Sequence, residues 1–138
     1  MAPGEWGWFA HPSGGIAQFG IAGQTPAALV VCDQAAGVIR IALPVSTPAP
    51  IGIQPATIST STSDATVVAE AAVIDGQPTL AITLPATHPV FDAIAFSRGR
   101  WRIAIGAVPP MIVPAWPHVA RVIEECRNRP ASGTSAKD

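Results

Sequence analysis

Three arginines, Arg98, Arg100 and Arg102, recur at every second position of the stretch SRGRWRIAI. Alternate residues of a strand share one face, so this spacing gathers three guanidinium groups on one side of the chain. Each stays charged at any physiological pH, and its planar fork can grip a carboxylate or phosphate through two parallel hydrogen bonds. The same alternation is also how the wet face of a half-buried strand reads, with Trp101, Ile103 and Ile105 on the dry side. Near the N-terminus, Trp6 and Trp8 repeat the two-residue period. Together with Trp101 or Trp116 they can form an aromatic platform for a sugar or peptide, or fill part of a small core. Arg98, Arg100, Arg102, Trp6 and Trp8 are the candidate ligand or partner face.

A hydrolytic alternative rests on His88, Asp92 and Ser97. His88 and Asp92 lie four apart, the spacing that shares a helix face, and Ser97 follows closely. Base, acid and nucleophile are thus present, but no glycine-flanked nucleophile elbow accompanies them. The plainer reading is a histidine at a helix start and a serine at its end. The other histidines, His11 and His118, are far from His88 and lack the short ligand spacing of a zinc site, so no metal is expected. There is no phosphate loop, no dinucleotide fingerprint and no recognisable pair of catalytic carboxylates, so no cofactor and no catalysis are expected.

Composition narrows the class of protein. The 138 residues suffice for one domain, 49% are hydrophobic and only 12% charged, while 15 prolines and 12 glycines break the chain often. That mixture points to many short strands. The formal net charge is -1, so no global field draws the chain to a nucleic acid, and no apolar run approaches the roughly 20 residues of a membrane span. The opening MAPGEWGWFA has neither the basic start nor the apolar centre of a signal peptide, and Met-Ala-Pro fits a start residue ahead of an already processed protein.

Turn signals every eight to fifteen residues place the elements. Hairpins are predicted around HPSGG, around DQAAG and, most clearly, around DGQP, whose Asp75-Gly76 pair suits a tight turn. Ile39, Ile41, Leu80, Ile82, Trp101 and Ile103 should be buried. The stretch PVSTPAPIGIQP carries prolines at 44, 48, 50 and 55 and should be a loop or an edge rather than a central strand. Pro89 opens a short helix near 89–96. In PAWPHVARVIEECR, Pro117 suits a first helical position, and Val119, Val122, Ile123 and Cys126 form one apolar stripe. With about seven strands and no strand-helix alternation, the expected fold is mainly β: an antiparallel sandwich or strongly curved sheet with the C-terminal helix packed on it. Residues 1–128 should form this single domain, and 129–138 a disordered polar tail.

Three stretches, LVVCD, LPATHPVFDAIAFSRGRWRIAI and VPAWPHVARVIEECR, resemble small exported proteins of unknown function common in alphaproteobacteria. Their order and spacing are similar to a wider group, the invasion-associated locus B proteins and the exported accessory proteins of type VI secretion. The resemblance covers most of residues 5 to 127. This chain differs from those groups in its missing leader and its short proline-rich middle. On its residues alone the chain allows either one disulfide or two reduced core thiols. The resemblance implies that Cys32, on an early strand, pairs with Cys126 in the C-terminal helix, and that the protein is periplasmic or secreted. A covalent tie also fits a helix of about ten residues, which is marginal in isolation. The expected role is an exported, non-catalytic module that binds a protein, peptide or envelope component.

Overall fold

The alternating stretches form nine strands: β1 (Glu5–His11), β2 (Gly14–Gly20), β3 (Ala28–Asp33), β4 (Val38–Pro44), β5 (Gln54–Ser59), β6 (Asp64–Ile74), β7 (Gln77–Pro85), β8 (Arg100–Ile105) and β9 (Met111–Pro114). Helix α1 (Pro89–Ala95) precedes β8, and α2 (Pro117–Arg127) follows β9. The computed structural model describes residues 4–12, 14–45, 52–106 and 108–127. The tail expected over 129–138 lies outside the described residues. The strands make one sheet in the order β1-β2-β3-β4-β7-β6-β5-β8-β9, and every pairing is antiparallel. The expected hairpins are β1–β2, β3–β4 and β6–β7. Asp75 and Gly76 both take positive φ, 50° and 78°, the backbone that a two-residue turn needs to follow the strand twist.

The sheet is not closed, yet it curls until its two edge strands meet. Trp6 of β1 stacks on Trp101 of β8 with centroids 6.4 Å apart, lies 5.3 Å from Phe19, and donates its indole N–H to the Pro114 carbonyl of β9 at 2.7 Å. Ile39, Ile41, Leu80, Ile82, Trp101 and Ile103 are buried inside this curl, as the alternation predicts. A second, smaller cluster of Ile16, Leu29, Val31, Ala42 and Ala81 lies on the other face of the same central strands. The continuous run LVVC is therefore apolar because both faces of β3 are dry. Around that second cluster, His11 at the end of β1 hydrogen-bonds Asp75 in the β6–β7 turn at 2.9 Å, although β2, β3 and β4 lie between β1 and that hairpin. Only a strongly coiled sheet brings those corners together.

One expectation is corrected by the topology, and β5 and β9 together bring the strands to nine rather than about seven. Part of the proline-rich stretch, residues 46–51, lies outside the described residues. At its borders, however, Pro44 closes β4, and Pro55 belongs to β5, an interior strand between β6 and β8. The proline is tolerated because its missing donor falls on the β8 side, where β8 has already ended at Ile105. Its carbonyl there still accepts from the Gly106 N–H at 2.8 Å.

Both helices start as their sequences require. His88 caps α1, its Nδ1 accepting from the Val90 N–H at 3.0 Å, with Pro89 next and Val90, Phe91 and Ile94 buried. In α2 the stripe Val119, Val122, Ile123 and Cys126 is buried against β1 to β4. Cys126 forms a disulfide with Cys32, Cα to Cα 5.6 Å, and both residues are buried. Gly14, with φ 144°, lies directly over the bond: a Cβ there would stand 3.0 Å from the Cys32 sulfur.

The disulfide joins residues 94 apart in sequence. By loop-closure entropy such a tie stabilises by about 4 to 5 kcal/mol. Cys32→Ala should lower the melting temperature markedly and fray α2, read by urea denaturation and far-ultraviolet circular dichroism. The parent should show no free thiol by intact mass after alkylation, and a variant as stable as the parent would show that the bond is dispensable.

Candidate functional site

β8 sits between β5 and β9, with Arg102 opposite Ser59 on one side and Ile112 on the other, and Arg100 opposite Pro114. Trp101, Ile103 and Ile105 point into the core and fix the strand's rotation, so Arg100 and Arg102 are turned outward and are exposed. Arg98, also exposed, lies in the preceding turn. Serines hold that turn in place. Ser97 Oγ donates to the Arg100 carbonyl at 3.1 Å, the Ser61 N–H donates to Ser97 Oγ at 3.2 Å, and the Arg98 N–H donates to Ser61 Oγ at 3.1 Å. The turn joining β5 to β6 is thereby latched to the turn joining α1 to β8. Between them runs an open cleft of about 480 Å³ lined by the three arginines together with Ser59, Thr60, Ser61, Trp101 and Ile112.

Charge pairing separates this face from the rest of the molecule. Arg40 pairs with Asp33 at 3.3 Å, Arg121 with Glu125 at 3.4 Å and Arg127 with Asp92 at 2.7 Å. Among the described residues, the three arginines without an ion pair are Arg98, Arg100 and Arg102, all at this one place. Asp64 is in register with Ser59, two strands from Arg102, and the two form no ion pair.

The tryptophans belong elsewhere, and this corrects the sequence reading of a platform. Trp6 is 4% exposed and is the hydrogen-bonded centre of the core. Trp8 is half-buried and its ring face is covered by the Arg121 guanidinium, 3.5 Å from the centroid, while its Nε1 edge lies over Gly15, 2.8 Å from where a Cβ would stand. It fastens α2 to the β1–β2 hairpin. Neither ring offers a free face on the arginine side.

The residues of the hydrolytic alternative are each engaged by other groups. His88 Nδ1 accepts the α1 cap bond, Asp92 accepts from Arg127, and Ser97 belongs to the serine latch. No cluster of metal-ligating side chains occurs among the described residues, and no helix there is long and apolar enough to cross a membrane. Two aromatic residues at the arginine end stand out by exposure: Phe96 at 78% and Trp116 at 37%. Trp116 entered the sequence reading only as a platform partner, and Phe96 did not enter it. The signal was its position. Phe96 falls six residues after Val90, off the stripe that Val90 and Ile94 define, and immediately before Ser-Arg-Gly.

No protein-family model matches the sequence, and no curated protein matches it. Among solved structures, the chain is similar to invasion associated protein B from Bartonella henselae, with a TM-score of 0.50 and 14% identity over 92% of this chain and 94% of that one. The likeness is one of fold. It agrees with the resemblance read from the sequence at that level and assigns no activity.

The pairing pattern predicts two kinds of arginine. Arg127 donates to the Ala86 carbonyl and Asp92 at 2.7 Å each and to the His88 carbonyl at 3.4 Å, tying the end of α2 to α1. Arg127→Ala should cost about 2 kcal/mol, because charged donors are lost from partly buried carbonyls. Arg100→Ala should stay within about 0.5 kcal/mol of the parent. Denaturation midpoints at constant m-value test both, and equal losses would contradict the division.

Proposed function

We propose that the protein is an exported, non-catalytic module that binds a protein, peptide or envelope component through Arg98, Arg100 and Arg102. The observation that carries the reading is the gathering of unpaired guanidinium groups on one outward face, along a cleft whose other walls are Ser59, Thr60, Ser61, Trp101 and Ile112. An exposed guanidinium is solvated without a partner, but like charges set side by side repel one another weakly, and negative charge supplied from outside relieves that repulsion. Three left together complement a negatively charged partner.

Export is supported by the buried disulfide, a bond that persists in oxidising compartments, and by the shared fold with an invasion associated protein. The serine latch supports binding rather than chemistry at this place: it fixes the backbone that presents the arginines, and Ser97 is itself held within it. A rigid presentation lowers the ordering cost that a partner must overcome.

Arg100→Ala/Arg102→Ala should therefore reduce recovery of the partner from an envelope extract and flatten the salt dependence of capture, while leaving the melting temperature nearly unchanged. Equal capture by parent and variant across salt concentrations would remove the arginine face as the binding surface.

A further inference from the structure

We infer that the arginine end of the molecule docks on the surface of an anionic bilayer, with Arg98, Arg100 and Arg102 against lipid phosphates and Phe96 inserted between headgroups. This rests on the reading of the arginine face as the binding face and names its partner. Phe96 is the most exposed of the large apolar side chains among the described residues, at 78%. It caps the C-terminal end of α1, two residues before Arg98, in the turn that the serine latch holds. The loop between β9 and α2 is fastened beside that turn, because the Ala115 N–H donates to the Gly99 carbonyl at 3.0 Å, and the next residue is the partly exposed Trp116. One end of the sheet thus presents two aromatic side chains and three unpaired cations.

A soluble partner that read only charge would not require the bare phenyl ring, and one that read only apolar surface would not require the arginines. The combination matches the membrane interface, where aromatic side chains enter the headgroup layer and basic ones meet phosphate. The geometry is open to an extended surface. The phenyl projects from a turn, and the cations follow an outward-facing strand along a cleft that is open to solvent. A guanidinium can pair with a phosphate through two parallel bonds, so a row of three favours a partner with repeated phosphates. The overall charge of -1 supplies no general attraction, so binding must come from this end.

The test is flotation of the intact protein with phosphatidylcholine vesicles lacking or containing phosphatidylglycerol. Binding should require phosphatidylglycerol. It should weaken about fivefold for each arginine replaced by Ala, and on the order of a hundredfold for all three. Phe96→Ala should weaken it about tenfold, with Phe96→Trp restoring it. Inorganic phosphate at matched ionic strength should displace the protein no more than chloride does. Phosphate-selective displacement would instead reveal a free-phosphate site and overturn the proposal, and so would vesicle binding indifferent to Phe96→Ala. Arginine-dependent binding to soluble poly-glutamate without vesicle binding would overturn the membrane while leaving the arginine face intact as a binding surface. Binding to neither would overturn both. Melting temperatures of all variants, expected within a few degrees of the parent, separate these outcomes from misfolding.

Discussion

The Trp6 indole is the contact on which the rest of this architecture depends. It joins β1 to β9, the two edges of a nine-stranded sheet, across a sequence separation of 108 residues. A flat open sheet with this much apolar surface would leave one face wet. Curling it until Trp6 meets Trp101 and the Pro114 carbonyl makes the concave face a core and gives the buried indole N–H an acceptor. The curl also directs the arginines. With Trp101 drawn inward against Trp6, its neighbours Arg100 and Arg102 have no direction but outward. What holds the sheet together is therefore also what sets the exposed face.

The helix α2 is the second half of the same constraint. Its apolar stripe holds three aliphatic residues and a cysteine, too little to keep eleven residues folded without packing. Three different attachments fix it: the disulfide to β3, the Arg121 and Trp8 stack on the β1–β2 hairpin, and the Arg127 bonds to the start of α1. They lie on different sides of the helix, so each restrains a motion the others leave free. Arg121 and Arg127, which lie off the apolar stripe, are structural for this reason.

Much of the fold was legible in the sequence because the local signals agreed with the tertiary result. Asp75-Gly76 could adopt positive φ, Pro89 and Pro117 sat at first helical turns, and the alternation around Ile39, Leu80 and Trp101 named the buried face. The reading failed where the answer depended on a neighbour remote in sequence. Pro55 forbids a central strand only if a strand on its donor side needs that donor, and where β8 ends cannot be read from residues near 55. Trp6 and Trp8 share a period and a residue type, yet one fills the core and the other lies under an arginine from α2, a distinction made by the curl and by helix docking. For the candidate site, the spacing gave the arginine row directly. The absence of ion pairs around it and the exposure of Phe96 are properties of packing, which no local pattern encodes.

The arginine row carries a cost in the free protein that bears on its role. Two residues along a strand span about 7 Å, so adjacent guanidinium groups repel by about 0.6 kcal/mol per pair in water, and by less in physiological salt. No ion pair among the described residues relieves this, although the chain as a whole has more acids than bases. The penalty is small enough for the fold to bear, and it disappears when negative charge is supplied from outside. Trp101 and Pro114, which close the curl, are the arginines' own neighbours, but Trp101 packs on the inward side of β8 while the guanidinium groups stand on the outward side, so their charges can be neutralised or replaced without unfolding the sheet. The stabilising contacts and the exposed charges are thus carried by opposite faces of one strand.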